Sequence, residues 1–324
     1  MAVYVLVRLL QGILLVFLMS IVAFCAIYAV GNPISVLVSP TTPQSVIDKV
    51  VSGLGLDRPL HEQYLIFLRN LLDGDFGYSY VTGQPALGMV LERFPATLEL
   101  ALTAMVIAML VGVPLGVWAG YRPNGVVGRM ASGFSMLLIS LPPFWTALLL
   151  IIVFSIEARL LPTGGRGEVA SVLGISSSLF TQDGLRRILL PAVNLSLFPM
   201  AMFIRLTSAG VRETVSASFI RFARAKGLST GRILSVYILK NIVPPVVTVS
   251  GIIFGMLLAF SVITESIFSW PGTGHLIIKS IQTSDRPVVI AYLMFSVSIF
   301  IVINIAADVV CAVVDPRISL SGSR

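Results

Sequence analysis

Charge is what this sequence has least of. Of 324 residues, 11% are Asp, Glu, Lys or Arg and 56% are hydrophobic, whereas an ordinary soluble domain carries about 25% charged residues. A water-soluble fold of this size needs charge dispersed over its surface. Here the 22 basic and 15 acidic residues crowd into a few intervals, which points to lipid as the solvent. Cysteine is as scarce. Cys25 and Cys311 both fall inside apolar runs, which argues against a disulfide framework and against a cysteine metal site. The two histidines, His61 and His275, lie outside every such run. An intramembrane serine protease would therefore have no imidazole base, and a zinc protease no histidine ligands. The chain also lacks a phosphate loop, GxxxxGK followed by Ser or Thr. The nearest approach, GHLIIKS from Gly274, has no second glycine, so no backbone cradle for ATP is expected on this chain, which reads as non-catalytic. No internal repeat of fixed period is found. The net charge of +7 does not indicate nucleic acid, because the basic residues are scattered between hydrophobic runs instead of gathered on one folded face.

What is present is a succession of long apolar runs. A bilayer core needs about 20 apolar residues in helical form. Charge-free runs that meet or approach this are Leu9–Val30, Leu100–Tyr121, Met130–Ile156, Ile188–Ile204, Asn241–Thr264 and Pro287–Ala307. Six spans put both ends of the chain on one side. The first run exceeds the 7 to 15 residues of a secretory signal core and reads as a retained anchor.

Orientation is read from lysine and arginine in the connections. With a cytoplasmic N-terminus the inner segments hold Arg8, Arg122, Arg129, Arg212, Arg221, Arg224, Lys226, Arg232, Lys240, Arg317 and Arg324. These fall within about 55 positions, and a similar number of basic residues is spread over about 120 outer positions. Both termini are expected in the cytoplasm. Arg205 interrupts the fourth run about 26 Å along its helix, within reach of the inner interface by snorkelling.

The longest hydrophilic segment, Gly31–Phe94, belongs outside. Within DRPLHEQYLIFLRNLL, Asp57 is placed to cap a helix with Pro59 in its first turn. Tyr64, Phe67, Leu68 and Leu71 recur at helical spacing, a stripe that needs a surface to cover. GDFGYS reads as a turn, and ERFPATLELAL leads into the second span with Pro95 at an early helical position. Arg159–Arg187 is a second outer loop, rich in Gly and Ser. SWPGTG, Ser269–Gly274, signals a tight reversal after the fifth span.

The stretch SFIRFARAKGLS, Ser218–Ser229, stands out because three of the residues from Arg221 to Lys226 are basic and none is acidic. On a helical wheel Val215, Phe219, Phe222 and Ala223 fall on one side, with Arg221 and Arg224 opposite. Lys226 complements the helix C-terminus and Gly227 supplies the stop. Three readings are open: a positive-inside loop, a helix lying on anionic lipid, or a helix docking into a cytoplasmic partner.

ARAKGLS with the downstream KNIVPPVVT resembles the cytoplasmic signature of ATP-binding-cassette importer permeases, most closely the B-type subunit of the dipeptide and oligopeptide family. Further matches in the same order are RLL and GNP around the first span, LGLDRPLHEQY, GDFGYS, RFPATLELAL, GVPLGVWAG, SLPPFW, TESIFSWPGTG and DPRIS. Departures are local. Arg221, Phe222 and Ala223 replace the Glu-Ala-Ala of the general signature, GNP replaces GDP, and Pro244 adds a second proline before Pro245.

The resemblance implies an all-α polytopic protein of the type I importer permease fold, with six transmembrane helices in a bacterial cytoplasmic membrane. Residues 1–30 are the first helix, 31–95 an external cap, 96–312 the permease core with its coupling loop at 212–240, and 313–324 a cytoplasmic tail. It implies as partners a second homologous permease subunit, two ATP-binding subunits and an extracytoplasmic binding protein. ATP and Mg are held by those ATPases and no cofactor by this chain. The coupling contact is Phe219, Arg221, Phe222, Ala223, Arg224, Ala225, Lys226 and Gly227. Pro244 and Pro245 remove two backbone donors and suggest a hinge. Along the substrate path, Glu265 near the outer end of the fifth span suits a peptide ammonium group or the capping of a turn, and Asp308 is equally ambiguous. Met256 and Met136 suit an adaptable lining or ordinary packing. The rival class, a self-contained secondary transporter, more often shows inverted repeats and intramembrane acids.

Overall fold

The computed structural model describes residues 2–29, 43–53 and 57–314. GNP and DPRIS lie outside them. The described chain is almost entirely helical: α1 (Ala2–Ala29), α2 (Gln44–Gly53), α3 (Leu60–Leu72), α4 (Ala86–Tyr121), α5 (Val126–Ser140), α6 (Pro143–Leu150), α7 (Gln182–Ser216), α8 (Ser218–Ala225), α9 (Leu239–Ile267), α10 (Thr273–Gln282) and α11 (Arg286–Val314). A two-stranded antiparallel hairpin, β1 (Ala170–Val172) and β2 (Ile175–Ser177), precedes α7. Four helical stretches are long and apolar enough to cross a membrane: Ala86–Tyr121, Gln182–Ser216, Thr230–Ile267 and Arg286–Ala307. They become five if α5 and the helix after it form one span. The run Met130–Ile156 is thus not one straight helix. It breaks at Leu141–Pro142 with a bend of 104°, because two consecutive prolines lack N–H donors and Leu141 before them is held extended, at φ −86° and ψ 127°. Pro143 then opens α6, and a π-helical turn, Ile151–Glu157, continues it.

Two compact units are formed, Met1–Pro95 with Pro271–Val302, and Ala96–Trp270 with Ile303–Arg324. In the first, the stripe of α3 covers α1. Tyr64 and Phe67 meet Phe24 with ring centroids 5.3 and 5.7 Å away, and the Tyr64 hydroxyl lies 2.9 Å from Ser20 Oγ. Leu68 is likewise only half-exposed. The cap of α3 differs from expectation: its N-cap is Pro59, with no side-chain bond, and Asp57 stands outside the helix. The GDFGYS turn is tied down by Asp285 at the entry of α11. Asp285 accepts from Ser79 Oγ at 2.5 Å and from Tyr80 N at 3.0 Å. Burial pushes the Tyr80 phenol above its ordinary pKa, the Arg286 guanidinium opposing it.

The second unit is built on close contact of α4 with α7. A Cβ placed on Gly116 would stand 2.6 Å from Thr207 Cβ and 2.8 Å from the Ile204 carbonyl oxygen. One placed on Gly120 would stand 2.5 Å from Val211 Cβ and 2.6 Å from the Ser208 carbonyl. GVPLGVWAG therefore lets two backbones approach as no larger residues allow. Gly116→Ala is expected to lower stability by about 1–3 kcal/mol, the cost of overpacking, read as a lowered thermal midpoint of the purified protein. Substitution of exposed Gly133, whose added Cβ meets nothing within 4 Å, is the neutral control.

Two proline expectations change. Pro95 lies well inside α4, which begins at Ala86. Pro244 and Pro245 do not break α9, which runs through both. The irregularity lies upstream, in a π-helical turn at Ile233–Ile238. A proline deletes one helical bond to the residue four positions before it, a loss that neighbouring helices and local adjustments can make good without ending the helix.

Candidate functional site

The basic segment forms α8, set off by a corner at Ala217, φ −67° and ψ 149°. Its inward face is not the one the wheel picks out. Ile220 and Ala223 are buried, in the same cluster as Val211, Ile233 and Ile238, while Phe219 and Phe222 are 44% and 62% exposed. Arg221, Arg224, Ala225 and Lys226 are exposed as well. Lys226 Nζ sits 4.6 Å from the Phe222 ring centroid, a cation–π contact that steadies an aromatic ring standing free of the core. Gly227 ends the helix as expected, at φ 76°. Gly227 N donates to Arg224 O at 2.9 Å and Leu228 N to Ala223 O at 3.3 Å, the bonding pattern of a Schellman cap. The result is a rigid stub with two bare phenylalanines, three cations and a fixed exit direction.

At the other end of the unit the loop before α7 is an ordered structure, not a loose Gly/Ser linker. Glu99 of α4, buried at 7% exposure, accepts from Arg166 Nη2 at 2.5 Å, from Ser178 N at 3.1 Å and from Ser178 Oγ. Asp183 pairs with Arg187 Nε at 2.9 Å, and Arg187 Nη1 donates to Gly164 O at 2.8 Å. Thr181 caps α7, its Oγ1 accepting from Gly184 N at 3.0 Å. The SWPGTG reversal does more than turn. Ser269 adopts φ 49°, and Trp270, fully buried, donates from Nε1 to Ala96 O at 2.8 Å.

Between these ends the bend at Leu141–Pro142 leaves a cavity of about 250 Å3, walled by α5, α6, α7 and α9. Its lining is apolar apart from Thr146, Asn194 and Thr264, and no ionisable side chain reaches it. Thr146 Oγ1 donates to Asn194 Oδ1 at 2.6 Å, and Asn194 Nδ2 donates to Thr264 Oγ1 at 3.0 Å. Of the three residues expected along a path, Met256 lines this cavity. Met136 is 68% exposed on α5 and not in the lining, and Glu265, next to Thr264, is fully buried instead of facing the cavity or the surface. Arg205 is exposed on α7, and the side chain of Asp308 lies outside the described ones.

Neither Asn194 nor Glu99 stands out in the sequence, although each leaves a trace. Asn194 is the one carboxamide in the fourth apolar run, a polar group expensive to place in lipid without a partner. Glu99 is an acid one residue before the second run, and its basic partner, Arg166, lies 67 positions away in sequence.

Residues 112–320 match the sequence model of the binding-protein-dependent transport system inner membrane component family, and residues 1–101 that of its N-terminal component. The dipeptide transport system permease protein DppB of Escherichia coli (strain K12) is 35% identical over 285 residues, covering 83% of this chain and 84% of the relative. The oligopeptide transport system permease protein AppB of Bacillus subtilis (strain 168) is 33% identical over 98% of this chain and 99% of its own length. The glutathione transport system permease protein GsiC of Escherichia coli (strain K12) is 35% identical over 97% and 98%. Among solved structures, a chain from inward facing conformations of the MetNI methionine ABC transporter superposes with a TM-score of 0.55 at 15% identity, covering 71% of this chain and 98% of that one. That likeness concerns the fold.

Proposed function

The chain belongs to the family of binding-protein-dependent transport system inner membrane components, and on that premise we propose that it is the B-type permease subunit of an ATP-driven importer that moves di- or oligopeptides across the cytoplasmic membrane. Supporting the substrate class are relatives named for dipeptides, oligopeptides and glutathione, similar to this chain over most of their length. The partners that follow are a second permease subunit, two ATPases that hold ATP and Mg, and an external binding protein. Counting the bent pair as one span and the 28-residue α1 as another gives six, with residues 31–95 as an external cap. The charge asymmetry of the connections supports a cytoplasmic side for both termini.

The observation that carries the mechanism is α8. Exposed phenylalanines beside cations form an anchor for a groove on a protein. A lipid-seeking helix would instead turn its whole apolar face outward, whereas α8 keeps Ile220 and Ala223 in the core. ATP-driven closure of two ATPases moves α8 as a rigid body, and its buried residues pass that movement to α7 and α9. The spans then alternate between inward and outward access while the binding protein delivers substrate from outside.

Co-expression with the neighbouring ATPase, permease and binding-protein genes tests this. A complex should purify whose ATP hydrolysis is stimulated by loaded binding protein, and the chain alone should show neither hydrolysis nor transport. Phe222→Asp should weaken ATPase retention about tenfold or more, as loss of an interface anchor does. Transport by the chain alone would instead place it among secondary transporters.

A further inference from the structure

The cavity at the α5–α6 break is an open-sided pocket of about 250 Å3 whose inner wall holds buried Asn194 and Thr264 and whose rim holds Phe260 and Ile263, 63% and 45% exposed. An apolar cavity of about 150 Å3 stays dry and accepts a benzene ring, while sites for drug-sized ligands begin near 300 Å3. The space thus suits one side chain with its flanking peptide group, and not a whole oligopeptide. Its chemistry narrows the choice. With no ionisable group in the lining, a charged side chain would be desolvated there without compensation. The polar wall offers the complement of a peptide unit. Asn194 uses one Nδ2 hydrogen on Thr264 and retains a second, and the Thr264 hydroxyl, an acceptor in that bond, keeps its own hydrogen to give. Pro199 inside α7 leaves the Leu195 carbonyl without an N–H four residues on, and both residues line the cavity.

From this we infer that the cavity is a transit site for one uncharged, apolar side chain of the translocating peptide, with Asn194, Thr264 and the Leu195 carbonyl engaging its peptide group. The permease then filters substrates after the binding protein has selected them. Met256, flexible and only half-exposed in the wall, adapts the site to side chains of different shape. This rests on the peptide-importer reading, and the two fail in different ways.

The test uses the complete complex in proteoliposomes with one unchanged binding protein, and the probes are alanyl-alanine and alanyl-phenylalanine. Met256→Trp fills the cavity and should lower uptake of alanyl-phenylalanine relative to alanyl-alanine by about tenfold, the discrimination a pocket of altered volume typically gives. Alanyl-alanine uptake itself reports that the variant is folded and coupled. Phe260→Ala, at a lining position 63% exposed, should shift preference the other way, toward alanyl-phenylalanine over alanyl-alanine. If Met256→Trp stops all uptake, the Phe260→Ala ratio decides. Ratios unchanged in both variants overturn the inference. So does a lipid that native mass spectrometry finds on the wild type and not on Met256→Trp with ratios unchanged, since the occupant is then an acyl chain. Uptake of neither dipeptide by the wild-type complex would instead overturn the importer reading.

Discussion

Gly227→Val is expected to abolish stimulation of ATP hydrolysis by loaded binding protein while the chain still inserts and assembles with its partners. Space is not the reason, since a Cβ at Gly227 would meet nothing within 4 Å. The reason is the backbone. At φ 76° a β-branched residue carries about 1–3 kcal/mol of strain, which α8 relieves by unwinding its last turn and losing the bonds from Gly227 N to Arg224 O and from Leu228 N to Ala223 O. Phe222 and Lys226 then lose the fixed placement that the proposed coupling contact requires. Gly227→Asn discriminates this from bulk, because asparagine tolerates the left-handed region and should keep most of the coupling although its side chain is nearly as large as that of valine. Equal stimulation in Gly227→Val and the wild type, measured as ATP turnover with and without loaded binding protein, would remove the segment from the coupling route.

Glu99→Ala is expected to cost about 3–5 kcal/mol, the penalty for leaving a buried charge without its partner. Arg166, whose side chain is 17% exposed, would face the second unit's interior with its carboxylate gone, and Ser178 would lose the acceptor of both its N–H and its hydroxyl. The hairpin and the cap of α7 are anchored through those bonds, so the loop should loosen as one piece. The measurement is the thermal midpoint of the purified complex together with protease sensitivity between Arg159 and Arg187. Glu99→Gln keeps an acceptor for Ser178 and should fall between. Glu92→Ala, an exposed acid on the same helix, should change nothing. A wild-type midpoint in Glu99→Ala would mean that the loop before α7 is held by its hairpin alone.

The chain shows how unevenly a fold is written in its residues. Hydropathy is a property of consecutive residues, so the long helices and the connections between them were legible, as was the basic stub ending at Gly227. Direction within a short helix was less so. Val215, Phe219, Phe222 and Ala223 share one side of an ideal wheel, yet the corner at Ala217 rotates α8 until Ile220 and Ala223 face inward and the phenylalanines do not. Proline was ambiguous for a related reason. Leu141-Pro142-Pro143 bends the chain by 104°, whereas α9 continues through Pro244 and Pro245. The sequence signal is the same in both places, and neighbouring packing decides whether a missing bond becomes a corner.

By itself, then, the order of apolar runs and family motifs determined that this is a multi-pass permease component with a cationic stub ended by a glycine, because burial in lipid and the left-handed turn at glycine are local demands. Only the tertiary structure decided which side of the stub is bare, that Glu99 holds Arg166 across 67 positions, and that a broken helix opens an uncharged cavity with Asn194 in its wall. Those features depend on groups brought together from distant segments by close backbone contact, and no single stretch of the chain encodes them.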